Sequence, residues 1–252
     1  MTLLEMALLA VAGFAAGILN AVAGGGTIFT FSALLAVGMP PVAANATSAT
    51  AVVLGSVASA VAYRREIILA LRRLLPLCAV SILGGGTGAA LLLWSGDQVF
   101  RALVPWLLLF ATLLFAAAPY IQRALKPAAP SRHRRGDLPL AMLVQGLVAI
   151  YGGYFGAGMG VMMLASLALT ETGGYHAANA AKNLLAIVLQ VMAVVVFLFS
   201  GVVDLELSLI IAISSIIGGW VGVVAARRIP QAVMRHLVIV CGLALALWYF
   251  VR

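Results

Sequence analysis

Charged residues are scarce in this chain. Asp, Glu, Lys and Arg make up 9% of its 252 residues, against about 25% in ordinary soluble domains. From Glu5 to Gly38 no residue after Glu5 is charged. With 64% hydrophobic residues and a mean hydropathy of +1.17, a water-soluble globular domain is excluded and a polytopic membrane protein is predicted. Cysteine is nearly absent too. Cys78 and Cys241 both lie in apolar runs, which excludes a disulfide framework and a cysteine metal site. No P-loop, HExxH motif, nucleophile elbow or His/Cys/carboxylate cluster with ligand spacing occurs. The reading is therefore not an enzyme, with no cofactor and no metal. The N-terminus, MTLLEMALLAVAGF, lacks the basic n-region of a signal peptide and is read as mature sequence.

The charge that is present is unevenly placed. The net +8 comes from clusters at Arg64-Arg65 with Arg72-Arg73, at Arg123 to Arg135, and at Arg227-Arg228 with Arg235. Each lies between apolar runs. That pattern fits cytoplasmic loops facing anionic lipid, and nucleic acid is not an expected partner.

Apolar runs predict helices near 5–22, 27–38, 42–63, 74–94 and 99–120, and again near 140–156, 161–172, 176–199, 207–226 and 236–251. The polar, Pro- and Arg-rich segment 122–139 separates the two sets. The predicted organisation is a first transmembrane repeat at 1–120, a cytoplasmic basic linker at 121–139, and a second transmembrane repeat at 140–252. A single ungapped shift of 134 residues carries the repeat. It brings Gly24 and Gly26 onto Gly158 and Gly160. It brings Ala43-Ala44-Asn45-Ala46 onto Ala177-Ala178-Asn179-Ala180. Gly84, Gly85 and Gly88 fall on Gly218, Gly219 and Gly222, and Val99 and Arg101 on Val233 and Arg235. Apolar composition matches Ala and Leu by chance but does not align Asn and Arg as well.

The charge bias swaps sides between the halves. Segment 64–73, read as a loop, holds four Arg, and its counterpart near 198–207 holds Asp204 and Glu206. Loop 95–98 holds only Asp97, and its counterpart 227–235 holds three Arg. Two copies inserted upside down to each other explain the swap, the inverted repeat common among secondary transporters. Three later helices give each half three crossings, so the first segment must add none or two. The expected fold is all-α, with two inverted repeats. Each has a Gly-broken helix pair or re-entrant hairpin (5–38 and 140–172) followed by three transmembrane helices.

Glycine at membrane depth needs a reason, because lipid offers backbone amides no partner. A broken helix that lines a cavity supplies one. The N-terminus of its second half points N–H groups at the break, and glycine lets a ligand approach them. AGGGTIF (23–29) and AGMGVMM (157–163) are the two expected breaks, converging near the midplane on a site that prefers an anion. Gly84/Gly88 and Gly218/Gly222 are read instead as helix-packing contacts. The predicted substrate-binding residues are Asn20, Gly24, Gly25, Gly26, Thr27, Asn45, Ser48, Tyr154, Gly158, Gly160, Asn179, Lys182 and Asn183. Asn45 with Ser48, and Asn179 with Lys182, are three apart and share a helix face. Lys182 has two readings: the charged half of an anion trap, or a side chain snorkelling to headgroups. Tyr154, the counterpart of Asn20, is either a ligand donor or a packing residue. Glu171 is read as solvated and His176 as a helix-start residue.

GILNAVAGGGTIFTFSALLAVGMPPVAANATSA (17–49) and its degenerate copy YGGYFGAGMGVMMLASLALTETGGYHAANAAKN (151–183) resemble the sulfite exporter TauE/SafE family, also called the 4-toluene sulfonate uptake permeases. The resemblance covers most of each half. Members usually carry Pro in the half-helix after the Gly-rich break, and neither copy here has one. The resemblance implies transport of sulfite, sulfoacetate or another organosulfonate across a bacterial inner (plasma) membrane. The expected function is a secondary transporter moving a small sulfur-containing anion by alternating access. A coupling proton or sodium ion, membrane lipid and a homodimer are compatible partners. A transporter of another small solute or cation, and a non-transport membrane assembly factor, remain open alternatives.

Overall fold

The computed structural model describes residues 2–22, 26–62, 64–124, 137–170, 174–225 and 231–251. Regular structure among them is helical: α1 (Leu3–Val22), α2 (Thr27–Ala36), α3 (Pro41–Ala62), α4 (Arg64–Ala124), α5 (Asp137–Tyr154), α6 (Met159–Thr170), α7 (Gly174–Ser200), α8 (Leu205–Ala225) and α9 (Gln231–Val251). The expected helices fall within these bounds to a few residues. The exception is 64–73, read as a loop, which is helical and continuous with α4. Its sequence, RREIILALRR, consists almost wholly of good helix formers and holds neither Gly nor Pro.

Three segments are apolar and long enough to cross a membrane: Leu3–Asn20, Leu74–Tyr120 and Ala180–Ser200. Shorter apolar helices accompany them at Pro41–Leu54, Leu138–Tyr154, Leu205–Val221 and Ile239–Phe250. A straight 47-residue stretch such as Leu74–Tyr120 would reach about 70 Å, over twice the thickness of a bilayer's hydrocarbon core. It is not straight. Gly96, at φ 69° and ψ 172°, divides α4 into two arms. The end of α5 touches both: Gly153 packs on Gly85 of the first arm, and the Tyr154 ring lies 5.6 Å from Phe100 of the second. The arms therefore run side by side. The outer surface is apolar, with Phe199 89% and Trp94 85% exposed, as a lipid-facing surface requires and a soluble one avoids.

Glycine sets two close helix crossings. Gly13 meets Ile211 and Ser214 of α8, and Gly17 meets Ser215 and Gly219. A Cβ on Gly17 would overlap the Ser215 carbonyl, and one on Gly218 would overlap the Phe14 carbonyl. The contacts advance together on both helices, so α1 and α8 run parallel. In the same way Gly84 meets Gly146 and Ala149, and Gly88 meets Ile150, Gly153 and Tyr154, so α5 runs parallel to the first arm of α4. The packing role read for Gly84, Gly88 and Gly218 is what these positions do. The side of Gly222 lies outside the described residues. The α4–α5 crossing also buries a polar pair absent from the sequence reading, with Gln145 Nε2 donating to Ser81 Oγ at 2.9 Å.

The first turns of α3 tie the acidic loops together. The Val42 N–H donates to Asp97 Oδ1 at 2.8 Å, and the Asp204 N–H donates to Thr47 Oγ1 at 3.0 Å. Glu206 starts α8, and the parallel α1 brings Glu5 to the same end. This end is the acidic face. From Pro41 to Ala62, and from Leu205 to Ala225, each helix rises about 30 Å away from it, the thickness of a hydrocarbon core. Arg64-Arg65 open α4 where the first of these helices ends, so the opposite end is the basic face.

Candidate functional site

Each predicted break is a place where the chain doubles back. At the first, Gly26 comes to rest against Ala16, ten residues earlier in sequence; a Cβ there would overlap the Ala16 backbone. Asn20 Oδ1 accepts the Gly26 N–H at 2.9 Å. Asn20 and the Gly26 amide, both expected to hold substrate, thus hold each other. Gly24 and Gly25 lie outside the described residues. From Gly26, α2 returns toward α3, whose first turns are at the acidic face where α1 began. Thr27 opens α2, partly buried, and its carbonyl accepts from Thr30 Oγ1 at 3.2 Å. The Thr30 hydroxyl also lies 2.6 Å from Ser48 Oγ. With the Thr30 proton given to Thr27, Ser48 is the donor of that buried pair. It joins α2 to α3.

At the second break, Gly156 and Gly158 take φ values of +81° and +79°, conformations that glycine adopts without strain. The Tyr151 hydroxyl donates to the Ala157 carbonyl at 2.6 Å and pins the turn. Gly158 packs on Ala111 of the second arm of α4. The α6 helix then starts, its Val161 N–H returning to the Gly158 carbonyl at 3.0 Å. Gly160, in its first turn, has the Lys182 Cδ as its nearest neighbour, 3.7 Å from where a Cβ would stand. The side chain of Lys182 therefore lies along the start of α6, where helix amides carry partial positive charge. The four carboxylates whose side chains are described, Glu5, Asp97, Asp204 and Glu206, all stand at helix starts or loops of the acidic face. None of them pairs with Lys182. Asn183, beside it, is partly buried.

The two halves meet at Asn45. Its Nδ2 donates to the Tyr154 carbonyl at 3.1 Å, an orphan acceptor at the end of α5. That bond fixes the amide orientation, since a carbonyl only accepts. Asn45 Oδ1 is left buried with no partner in a residue 1% exposed. An unmet buried acceptor costs about 1–3 kcal/mol. The Tyr154 hydroxyl lies 3.3 Å from Ser95 Oγ, and its ring packs on Phe100. The side chain of Asn179, the counterpart of Asn45, lies outside the described residues.

Asn45, Tyr154, Gly158, Gly160 and Lys182 thus follow one another around the second break, and Thr27, Thr30 and Ser48 stand between α2 and α3. The nearest described neighbours of the two breaks share no residue. Three aromatic residues absent from the sequence reading also converge here. Phe31 of α2, Phe100 of α4 and Phe155 of the second break pack edge to face, with centroids 5.6–6.2 Å apart. They are far apart in sequence, and no local periodicity announces them.

A family model described as "Sulfite exporter TauE/SafE" matches residues 9–249. Similar curated proteins include a "Probable membrane transporter protein ORF9" of Sinorhizobium sp., 28% identical over 96% of this chain and 91% of its own. A "Probable membrane transporter protein" of Haemophilus influenzae is 26% identical over 93% of this chain and 90% of its own. A "Probable membrane transporter protein YfcA" of Escherichia coli K12 is 26% identical over 89% of this chain and 82% of its own.

Proposed function

The chain belongs to the sulfite exporter TauE/SafE family of membrane transporters, and from that premise we propose that it is a secondary transporter for a small sulfur-containing anion, sulfite or an organosulfonate. One observation carries the anion preference: Lys182 lies along the N-terminal turn of α6 beside Gly160, away from every described carboxylate. A cation with no acid beside it among the described residues, next to helix amides, is a ready site for an oxyanion. Gly158, Gly160, Asn179, Lys182 and Asn183 supply this site. Asn45 Oδ1 is an unpaired acceptor and repels an anion, so in this reading it faces a coupling sodium ion rather than the substrate.

Two inverted halves, 1–120 and 140–252, provide the alternating access. The helix directions support the inversion. Under the 134-residue shift, α1 corresponds to α5, and α8 to the first arm of α4. The crossings α1–α8 and α5–α4 are then the same pairing exchanged between halves. The parallel α8 starts α1 at the acidic face, and the parallel first arm of α4 starts α5 at the basic one. Equivalent helices therefore run opposite ways. Segments 5–38 and 140–172 act as re-entrant hairpins, one entering from each face. By the positive-inside rule the basic face, with the linker 121–139, is cytoplasmic in a bacterial inner membrane.

Flux into proteoliposomes of purified protein tests the reading, with labelled sulfite, sulfate and a short organosulfonate. Saturable uptake of one sulfur anion is expected, falling at least tenfold in Lys182→Ala, the scale of a lost charge-assisted hydrogen bond. Unchanged uptake in the variant would remove Lys182 from the site. No flux of any of the three by folded protein would overturn the substrate class.

A further inference from the structure

The second break has two unlike ends. One is the start of α6, where Lys182 lies. The other is the finish of α5, and it is rich in unused oxygen. The Phe155 and Gly156 N–H groups both return to the Tyr151 carbonyl. A continuing helix would have given the second of them to Gly152. Carbonyls of the last turn of α5 are thus left without their helix donors, at the end where a helix carries partial negative charge. Asn45 reaches this end from α3, its Nδ2 donating to the Tyr154 carbonyl at 3.1 Å. Its Oδ1 is bonded to the same carbon as Nδ2, so it stands beside the same turn, buried and without a partner.

Other conspicuous amide oxygens lack this setting. Gln145 Oε1 is also unmet, but it lies within the α4–α5 crossing beside Ser81, in mid-helix, where carbonyls are taken by their own helix. At the first break Asn20 Oδ1 already takes the Gly26 N–H. Among the described residues, an unmet side-chain oxygen and a freed helix end coincide only at Asn45. The chemistry there selects the ion. Amide and peptide oxygens accept hydrogen bonds but do not titrate at neutral pH, so they hold no proton of their own. Asp97 and Asp204 direct their carboxylates to the Val42 and Leu207 N–H groups, so no described carboxylate completes a site for a divalent ion. A singly charged hard cation fits, and one side chain with one helix turn supplies few oxygens, which favours a small ion.

We infer that the finish of α5 binds a sodium ion, held by Asn45 Oδ1 and the freed carbonyls of the last α5 turn, and that this ion strengthens anion binding at the start of α6. The site rests on the reading of Asn45 given above. It adds the backbone oxygens and a physical reason for coupling. One short turn separates the end of α5 from the start of α6, and the Met159 N–H returns across it to the Gly156 carbonyl at 3.3 Å. A cation at one end of that turn and an anion at the other attract each other in a low-dielectric interior, so each raises the affinity of its neighbour. Half-helix carboxyl ends suit cations and amino ends suit anions. The second break offers both.

Thermal melting of the purified chain in detergent tests the site with no anion substrate present, so its outcome is separable from that of the flux assay. Sodium chloride at about 100 mM is expected to raise the melting temperature by about 3 °C or more over choline chloride, and potassium chloride by less. Asn45→Ala is expected to abolish the sodium increment, and Asn45→Asp, which keeps an oxygen, to retain it. Asn20→Ala, which removes an amide at the other break, should lower melting in both salts and keep the increment. Equal melting of the unsubstituted protein in sodium and choline would overturn the site, whether or not the Asn45 variants fold. So would an increment that survives Asn45→Ala. Equilibrium binding of labelled sulfite reads the coupling, and about tenfold tighter binding is expected in sodium than in choline. Equal sulfite affinity in the two salts would overturn the coupling. No sulfite binding in either salt, with the sodium increment intact, would overturn the coupling together with the substrate class and leave the sodium site standing.

Discussion

At the first break a side-chain carbonyl, Asn20 Oδ1, takes the N–H of Gly26. At the second a hydroxyl, that of Tyr151, gives to the carbonyl of Ala157. In both segments the chain turns back, and the polarity of the side-chain clasp is reversed. Residues at matching positions have parted further. Asn20 corresponds to Tyr154, Ser48 to Lys182, and Gly17, packed on Ser215, to Tyr151. Under the duplication proposed above, the backbone geometry is the part retained, because close helix crossings tolerate nothing larger than hydrogen at a few positions. Polar side chains were free to diverge because a bend needs only some partner for its orphan amides and carbonyls. At the positions the proposed repeat makes equivalent, Lys182 stands in the second half where Ser48 stands in the first.

The strongest way to break the comparison is at the skeleton. Gly17→Val in the first half and Gly88→Val in the second place a side chain into carbonyl oxygens of the facing helix, Ser215 and Ile150. Both are expected to cost about 3 kcal/mol or more and to lower folded yield equally in detergent thermal-melt assays. A tolerated Gly17→Val beside an intolerant Gly88→Val would show that the two crossings are not equivalent. The clasps come next. Asn20→Ala strips the Gly26 amide, at about 1–2 kcal/mol, and Tyr151→Phe strips the Ala157 carbonyl at a similar cost. Parallel falls in melting temperature support exchangeable clasps, whereas a fall in only one would mean that the other bend holds itself. The smallest effect is expected from Tyr154→Phe. Its hydroxyl contact with Ser95 is 3.3 Å long, so about 0.5 kcal/mol is expected, with melting barely moved. A large loss would give that hydroxyl a partner beyond Ser95.

Much of the fold was legible because membrane helices announce themselves by length and apolarity. The bend that brings Gly26 back onto Ala16, the one at Gly158 and Gly160, and the packing glycines could be read from composition alone, while Gly156 was not singled out. Segment 64–73 was misread because its four arginines mark the membrane boundary, and a helix can run past that boundary into water. The site was legible in residue type and not in partnership. Asn45 and Tyr154 are 109 residues apart, and nothing local ties them. Asn20 looked like a ligand because a lone Asn in an apolar run is conspicuous, yet its oxygen is consumed six residues away. Gln145 was equally conspicuous, a single amide among Leu and Val, and was passed over. The rings at 31, 100 and 155 carry no signal singly.

Asp97 and Asp204 sit in different halves of the chain, and both are bonded to the first two turns of α3. Mechanically, that makes α3 a shared axle. A rod held by two loops at one end cannot tilt without carrying both, so any rocking of one half against the other must pivot at this end or break one of the two bonds. The far end of the rod, about 30 Å away, sweeps the larger arc. A tilt of α3 about that end would therefore displace the basic end of the helix more than the acidic one.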